Sequence, residues 1–243
     1  MKKFKQKRKA WDRGFKKLTK CRYKKPQFIF LGDKITQNAI VLSNHEGTDA
    51  PMSIELYADF PVRFWGTAEM NSGLIQMYKY QSRVYFHEKK HWNLFLARAF
   101  CLIASPLTNL FYKGLNLIST YTDGRFLKTI RESVTAIKGG ENIVIFPEKS
   151  VNGYEKELKG FYAGFVVLAE KLLKEGIDCD IYTAYLKKND SQFIFDKPVK
   201  YSELKKSYSN KEEIATYLVQ NCNRLGSLSL DELQKENSNI KVA

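Results

Sequence analysis

Short apolar runs alternate with longer amphipathic stretches along this chain, and that alternation predicts an α/β fold. Runs of about four to eight apolar, β-branched or aromatic residues bounded by Gly, Pro, Asn or Asp are typical of strands. They occur at QFIFLG (27–32), NAIVLSN (38–44), PVRFWGTA (61–68), LNLISTY (115–121), NIVIF (142–146), CDIYTAYLK (179–187), QFIFD (192–196) and PVKY (198–201). The last two runs are short, and we expect them near an edge of the sheet.

Residues 115–146 contain the clearest succession of elements. Between two apolar runs, large apolar side chains recur at helical spacing, and Gly139-Gly140 marks the end of that helix. These side chains are Phe126, Leu127, Ile130, Val134 and Ile137. A strand, a helix and a strand in this order predict a parallel pair with a right-handed connection. With further helices predicted over 161–174 and 211–224, we expect a mixed, largely parallel sheet flanked by helices.

Residues 91–112 form the most apolar part of the chain. The uncharged run after Arg98 lasts 14 residues and contains Pro106, whereas a membrane-spanning helix needs about 20 apolar residues. We therefore expect a pair of helices interrupted at Pro106. Core helices are the preferred interpretation, and helices that dip into a membrane are the alternative.

The size and composition of the chain are those of one folded domain. Its 243 residues are 44% hydrophobic, which is too apolar for a disordered chain. The four cysteines lie far apart and form no CxxC pair, so neither a zinc site nor a disulfide framework is predicted. Scattered buried thiols are typical of proteins in a reducing compartment.

The net charge of +14 is concentrated at the amino terminus. Residues 1–25 carry a net charge of +12, which leaves +2 for residues 26–243. Four apolar side chains of this arm, Phe4, Trp11, Phe15 and Leu18, share one face of a predicted helix. A basic amphipathic N-terminal helix suits the surface of an anionic membrane, at which each nearby cation contributes about 1 kcal/mol. A solvated tail and a tail that contacts nucleic-acid phosphates are the alternatives, and we expect no nucleic acid as partner.

Polar residues follow two of the apolar strands. Asn44, His45 and Asp49 come after the run at 38–44, and Glu148 comes after the run at 142–146. Parallel strands end at the same edge of a sheet, which is where open α/β sheets bind their ligands. A carboxylate beside a histidine orients the ring and makes it a better base. We therefore expect a site at this edge, although Glu148 could instead cap a helix.

The order and spacing of these residues resemble the glycerolipid acyltransferases, the group that includes 1-acylglycerol-3-phosphate acyltransferase. The family has four sequence blocks, matched here by NHEGTD (44–49), GLNLIST (114–120), FPEKSV (146–151) and IYTAY (181–185). The segment LKGFYAGFVVLA (158–169) also resembles the family, and the likeness spans residues 38–187. The first and third blocks are the more specific ones.

The resemblance implies transfer of an acyl group from acyl-CoA or acyl-ACP to a hydroxyl of a lysophospholipid-like acceptor. It implies His45 as general base and Asp49 as the residue that orients it, with no metal, no cofactor and no Ser or Cys nucleophile. Substrate-binding positions carried over from the blocks are Asn44, Gly114, Thr120, Glu148, Lys149 and Ser150. It also implies an enzyme at the cytoplasmic face of a membrane, peripheral or monotopic. Residues 1–25 then form the membrane-surface arm and residues 26–243 the acyltransferase domain.

The chain departs from the family at several block positions. Asp49 follows His45 after three intervening residues, whereas the family usually has four. Thr120 stands where the second block has Arg, and Lys149-Ser150-Val151 replace the Gly-Thr-Arg of the third. The family's arginines help to bind the acceptor's phosphate, and a lysine lacks the bidentate grip of a guanidinium group. We therefore expect weak or altered recognition of phosphomonoester head groups.

Two other functions fit parts of the sequence. Chloramphenicol-acetyltransferase-like enzymes also have a His-x-x-x-Asp motif, but as His-His-x-x-x-Asp-Gly, whereas Asn44 and Ala50 flank the motif here. A non-enzymatic protein that binds anionic surfaces or nucleic acid would use the basic arm alone. The chloramphenicol-acetyltransferase-like alternative leaves FPEKS at 146–150 and the basic arm unexplained.

Overall fold

The computed structural model describes residues 17, 19–115, 117–149, 155–229, 231–233 and 235. Most of the basic amphipathic helix predicted over residues 1–25 lies outside this part of the chain. Within it, residues 17 and 19–22 are helical. The base of the arm is fixed to the domain, because Tyr57 donates a hydrogen bond from its hydroxyl to the carbonyl of Tyr23 at 2.6 Å.

The sheet contains eight strands in the described residues. They are β1 (Gln27–Phe30), β2 (Ala39–Ser43), β3 (Val62–Thr67), β4 (Ile118–Thr120), β5 (Asn142–Ile145), β6 (Asp180–Lys187), β7 (Gln192–Phe195) and β8 (Val199–Lys200). Their order is β1-β7-β6-β2-β5-β3-β4, and β8 pairs with β6. The strands from β6 to β4 are parallel, whereas β7 and β8 run antiparallel to β6. The predicted mixed, largely parallel sheet is confirmed.

Helices cover the sheet and fill the connection between β3 and β4. They are α1 (Asp49–Tyr57), α2 (Ala68–Asn71), α3 (Leu74–Lys79), a π-helical segment (Tyr80–Lys89), α4 (Leu94–Leu115), α5 (Phe126–Lys138), α6 (Gly164–Lys174), α7 (Tyr201–Ser207) and α8 (Lys211–Ser227). The helices predicted over 161–174 and 211–224 correspond to α6 and α8.

The prediction of two core helices over residues 91–112 is wrong. These residues belong to one helix, α4, and Pro106 lies inside it. A proline removes one backbone hydrogen bond, and the leucines and alanines around Pro106 favour a continuous helix. Most of α4 is also exposed, so it contributes little to the core.

Alternation along the strands divides the core between the two faces of the sheet. Ile40 and Leu42 of β2 pack on one side with α5, α6 and α8, whereas Val41 packs on the other with α1. Successive side chains of a strand point to opposite faces, and a parallel sheet covered on both faces buries both sets. The middle strands β2 and β5 are therefore apolar at successive positions, over 40–42 and 143–145.

The strand–helix–strand unit predicted over residues 115–146 has two parallel strands, as expected, but these strands are not neighbours in the sheet. β4, α5 and β5 follow one another and the two strands are parallel, but β3 lies between them and pairs with both. β5 instead has β2 as its other neighbour, with Leu42 opposite Ile145. Extending that register by three residues brings position 45 level with position 148.

Candidate active site

His45 lies in a tight loop between β2 and α1. Glu46 and Gly47 have positive φ angles of 42° and 68°, which turn the chain sharply after the histidine. Glycine adopts such angles without steric cost. The backbone N–H of Asp49 donates to the carbonyl of Glu46 at 3.2 Å and starts α1. The loop therefore presents His45 at the carboxyl edge of the sheet, as the sequence predicted.

The side chain of Asn44 fastens this loop to the neighbouring strand β6. Its Oδ1 accepts a hydrogen bond from the backbone N–H of Leu186 at 2.8 Å, and its Nδ2 donates to the Leu186 carbonyl at 3.3 Å. Asn44 is fully buried. Because its amide is used inside the protein, the contacts favour a positioning role for Asn44 over the substrate contact expected from the sequence.

His45 and Glu148 meet directly. The backbone N–H of His45 donates a hydrogen bond to Glu148 Oε2 at 3.0 Å, and the imidazole lies 5.0 Å from the ring of Phe146, centre to centre. Burial raises the pKa of Glu148, while the N–H of His45 opposes this rise by stabilising the carboxylate. The first and third blocks of the sequence therefore form one site.

The imidazole of His45 is held in its neutral form. Burial lowers its pKa from 6.5 to about 4, a hydrogen bond with the backbone of Gly47 opposes that change, and the charge of Lys89 lowers the pKa further. Near pH 7 the ring is therefore deprotonated, as a general base must be before it accepts a proton. A carboxylate at the ring would raise this pKa towards the value that suits a base.

The carboxylate of Asp49 is in an ion pair with Lys188. Asp49 Oδ2 lies 2.8 Å from the ammonium of Lys188, in the turn that follows β6, and this contact raises the pKa of Lys188. The orientation of His45 by Asp49 therefore stays a prediction. Lys188 was not found from the sequence, because it belongs to none of the motifs. Its place just after a parallel strand is the signal that could have indicated it.

The segment after β5 returns along itself as a narrow loop. Lys149 donates from its backbone N–H to the Gly160 carbonyl at 2.9 Å, and Tyr162 donates likewise to Pro147 at 2.8 Å. The ammonium of Lys149 lies over the ring of Tyr162, 5.6 Å from its centre. Lys149 is exposed beside Glu148 and can contact a ligand. Ser150, also predicted to bind substrate, lies outside the described residues.

The π-helical segment brings a further charge to this edge. Burial is the largest influence on the pKa of both His45 and Glu148, and the ammonium of Lys89 affects both of them. π-Helical segments are rare in proteins, and those that occur often lie at functional sites. Lys89 belongs to none of the sequence blocks and its neighbours along the chain are charged, so the sequence alone did not indicate it.

The start of α1 is a poor candidate for an oxyanion site. An oxyanion site there would be expected to have free backbone N–H groups around and after Asp49. However, the N–H of Asp49 is bonded to Glu46, and Pro51 in the first turn has no N–H to donate. The described contacts do not support that expectation.

A solved structure shares this architecture. The 1-acyl-sn-glycerophosphate (LPA) acyltransferase PlsC from Thermotoga maritima matches this chain with a TM-score of 0.51 and 14% sequence identity. The match covers 92% of this chain and 78% of that one. This chain has a PlsC-like acyltransferase fold. No protein-family model and no curated protein sequence matches it. The likeness favours the predicted resemblance over the one to chloramphenicol-acetyltransferase-like enzymes.

Two predicted substrate-binding residues of the second block lie apart from His45 within this fold. Gly114 is in the last turn of α4, and Thr120 ends β4, where its hydroxyl donates to the Gly66 carbonyl at 3.0 Å. β4 lies three strands from β2, which corresponds to about 14 Å at ordinary strand spacing. Only an extended substrate could contact both Thr120 and His45, so their shared role stays a prediction.

Proposed function

We propose that this protein transfers a fatty acyl group from a thioester donor, acyl-CoA or acyl-ACP, to a hydroxyl of a lysophospholipid-like acceptor. The observation that carries the proposal is the hydrogen bond of 3.0 Å between the His45 N–H and Glu148. It joins the two most specific blocks of the sequence at the carboxyl edge of adjacent parallel strands. The PlsC-like fold supports the same reaction class.

His45 acts as the general base in this proposal. Its imidazole takes the proton of the acceptor hydroxyl while that oxygen attacks the thioester carbonyl carbon. The tetrahedral intermediate collapses with cleavage of the C–S bond, and the leaving thiolate takes the proton from the imidazolium. General-base catalysis of this kind contributes roughly 10²–10⁴-fold in rate. The reaction needs no covalent acyl-enzyme and no cofactor.

Asp49 stabilises the imidazolium in the proposed mechanism. Its carboxylate pairs with Lys188, so this role requires the Asp49 side chain to rotate towards His45. Three residues separate the two along one tight loop, so the change is local. Glu148 holds the same loop by its backbone and is a positioning residue as well as a neighbour of the substrate.

The proposed acceptor and the membrane are recognised by different parts of the chain. Lys149 supplies a point charge where the family has Gly-Thr-Arg, which supports altered phosphate recognition. Residues 1–25 bind the anionic cytoplasmic face of a membrane. The hydroxyls of Tyr23 and Thr48 lie 3.0 Å apart, so the end of the arm nearest the domain contacts the residue that precedes Asp49. That proximity supports an arm that keeps the site close to its lipid acceptor.

The experiment is a thiol-release assay on the full chain with acyl-CoA and a panel of lysophospholipid, neutral and amino-alcohol acceptors. We expect acceptor-dependent thiol release that falls at least 100-fold in His45→Ala. The matched control is His91→Ala, because His91 is exposed. Thiol release that His45→Ala leaves unchanged, or that no acceptor stimulates, would contradict the proposal.

The arm separates this function from non-enzymatic binding to anionic surfaces. Deleting residues 1–16 leaves the described contacts of Tyr23 in place. We expect the truncated protein to turn over a water-soluble acceptor at the full-length rate while its binding to anionic vesicles at low salt weakens. A protein that merely binds surfaces would lose its function entirely.

A further inference from the structure

Helix α4 has its large apolar residues on the outside. Apart from Leu115 at its end, the side chains that it buries are small or polar and recur every four residues, at Ala97, Cys101, Ser105 and Asn109. Its exposed side chains are Phe95, Leu96, Phe100, Leu102, Ile103, Leu107 and Leu110, and those of Phe95 and Ile103 are each 77% exposed. A surface helix of a water-soluble domain has the opposite arrangement.

The inward face of α4 packs as helices do inside membranes. Small side chains allow α4 to approach the π-helical segment, and the buried hydroxyl of Ser105 donates to Gln81 Oε1 at 2.7 Å. Small residues and buried polar pairs are characteristic of helix contacts in lipid, where apolar side chains face outwards. Leu74 and Ile75 of α3 and Trp92 extend the same exposed apolar surface.

Both ends of this helical insertion lie at one place on the sheet. The chain leaves β3 at Thr67 and returns into β4 at Ile118, which pairs with Trp65, two residues before Thr67 and about 7 Å from it along the strand. The insertion therefore starts from the carboxyl edge of β3 and returns to its neighbouring strand. His45 lies at the corresponding edge of β2, so whatever contacts the insertion also lies on the active-site side of the molecule.

The charges of the insertion suit an anionic bilayer. Within α4 the charged residues are Arg98 and Lys113, and Lys79, Arg83, Lys89 and Lys90 precede the helix, against two acidic residues, Glu69 and Glu88. Among the described residues, α4 is the helix with the length and composition to cross a membrane, although the two ends of the insertion lie only about 7 Å apart along paired strands. Its 22 residues extend about 33 Å.

We propose that residues 68–115 form a monotopic membrane anchor whose outer α4 face enters the hydrocarbon region of the bilayer. This deepens the membrane association in the proposed function, and it adds an anchor that does not depend on the basic arm. The insertion leaves the sheet at the active-site edge and returns close to its starting point, so it enters the bilayer without crossing it. The site is thereby held against the lipid surface from which an acceptor would come.

Vesicle flotation of the purified full chain tests this anchor. Vesicles of phosphatidylcholine, with and without phosphatidylglycerol, are used at low salt and at about 1 M salt, where surface electrostatics are screened. We expect binding of the unmodified chain to persist at high salt, and to fall at least tenfold in Leu96→Glu and Ile103→Glu. The control is Leu127→Glu on α5, because Leu96 and Leu127 are both 61% exposed.

A second measurement reports how deeply the insertion enters the bilayer, and a third tests whether the exposed face of α4 is instead a protein interface. Trp92 fluorescence should be quenched by lipids brominated on their acyl chains, and less when Ile103→Glu is added, with Trp11→Phe and Trp65→Phe present in both proteins. Salt-resistant binding that Ile103→Glu leaves intact overturns the proposal. So does a stable dimer in sedimentation that Ile103→Glu dissociates, since the face would then be a protein interface.

The two proposals fail separately. If acyl transfer is absent but high-salt binding depends on Ile103, the anchor stands and the proposed reaction does not. If acyl transfer to a soluble acceptor occurs and vesicle binding at high salt does not depend on Ile103, the proposed reaction stands and the anchor does not. Circular dichroism of each variant verifies that the exposed substitutions leave the fold intact.

Discussion

The backbone N–H of His45 donates its hydrogen bond to Glu148 Oε2 at 3.0 Å, across two strands that are adjacent in space and 103 residues apart in sequence. The register of β2 against β5 brings these positions level, with Leu42 opposite Ile145. Glu148 therefore sets the position of the histidine backbone, whereas Asp49 shares only its loop. The carboxylate after β5 holds the base in place whatever else it binds.

Substitution of Glu148 should separate its hydrogen bond from its charge. Glu148→Ala leaves a half-buried N–H without its acceptor, a loss of about 1–3 kcal/mol, whereas Glu148→Gln keeps an acceptor oxygen. We expect urea unfolding to show this loss for the alanine variant alone, and thiol release to fall by more in alanine than in glutamine. Equal stabilities for the two variants would show that the N–H does not depend on Glu148.

The low pKa of His45 should shape the pH dependence of the protein. Burial lowers it to about 4 in the folded state from 6.5. The unfolded chain therefore takes up its proton first, so stability from this residue is complete above pH 6.5 and is lost as the pH falls towards 4. The loss amounts to about 3 kcal/mol. Catalysis by the neutral ring should persist to about pH 5 and decline below it.

Nuclear magnetic resonance of the histidine rings measures this directly, since the chain has three histidines. The His45→Ala spectrum assigns the His45 signal. A titration midpoint near 6.5 would show that the imidazole is solvated and that the site is more open than described.

The ion pair between Asp49 and Lys188 should control the basicity of His45. Lys188→Gln removes the partner of the Asp49 carboxylate, which can then turn towards the imidazole and stabilise its protonated form. We expect the His45 titration midpoint to rise in this variant. Lys200→Gln is the matched control, because the Lys200–Asp180 ion pair is also 2.8 Å long and lies at the other end of β6. An unchanged midpoint in Lys188→Gln would refute the coupling.

The acceptor preference should reflect the absence of the arginines that the family has in its second and third blocks. We expect the unmodified protein to show no strong preference for a phosphomonoester acceptor over a neutral or amino-alcohol one. Thr120→Arg restores a guanidinium at the end of β4 and should raise kcat/KM for the phosphomonoester several-fold. Thr122→Arg, at an exposed position two residues further on, is the control. A strong preference of the unmodified protein for lysophosphatidic acid would contradict this prediction.

Several parts of the site could be predicted because they depend on short stretches of chain. The apolar run before His45 and the one before Glu148 each predict a strand, and parallel strands end at one edge. That reasoning brought the two residues together correctly. It could not find Lys188 or Lys89, since each belongs to an element whose packing against the site is set by residues far away in the chain. The same limitation hid the β3 strand between β4 and β5.

The sequence by itself determined where the eight described strands and the helices α5, α6 and α8 lie, because side-chain periodicity and turn residues act over a few positions. It also determined that the middle strands are buried on both faces, as Ile40, Val41 and Leu42 indicate. Only the tertiary structure decided the strand order, the Asp49–Lys188 ion pair and the outward direction of the apolar face of α4. Those features depend on which distant surfaces pack together, and that choice is made by the whole core rather than by any one segment.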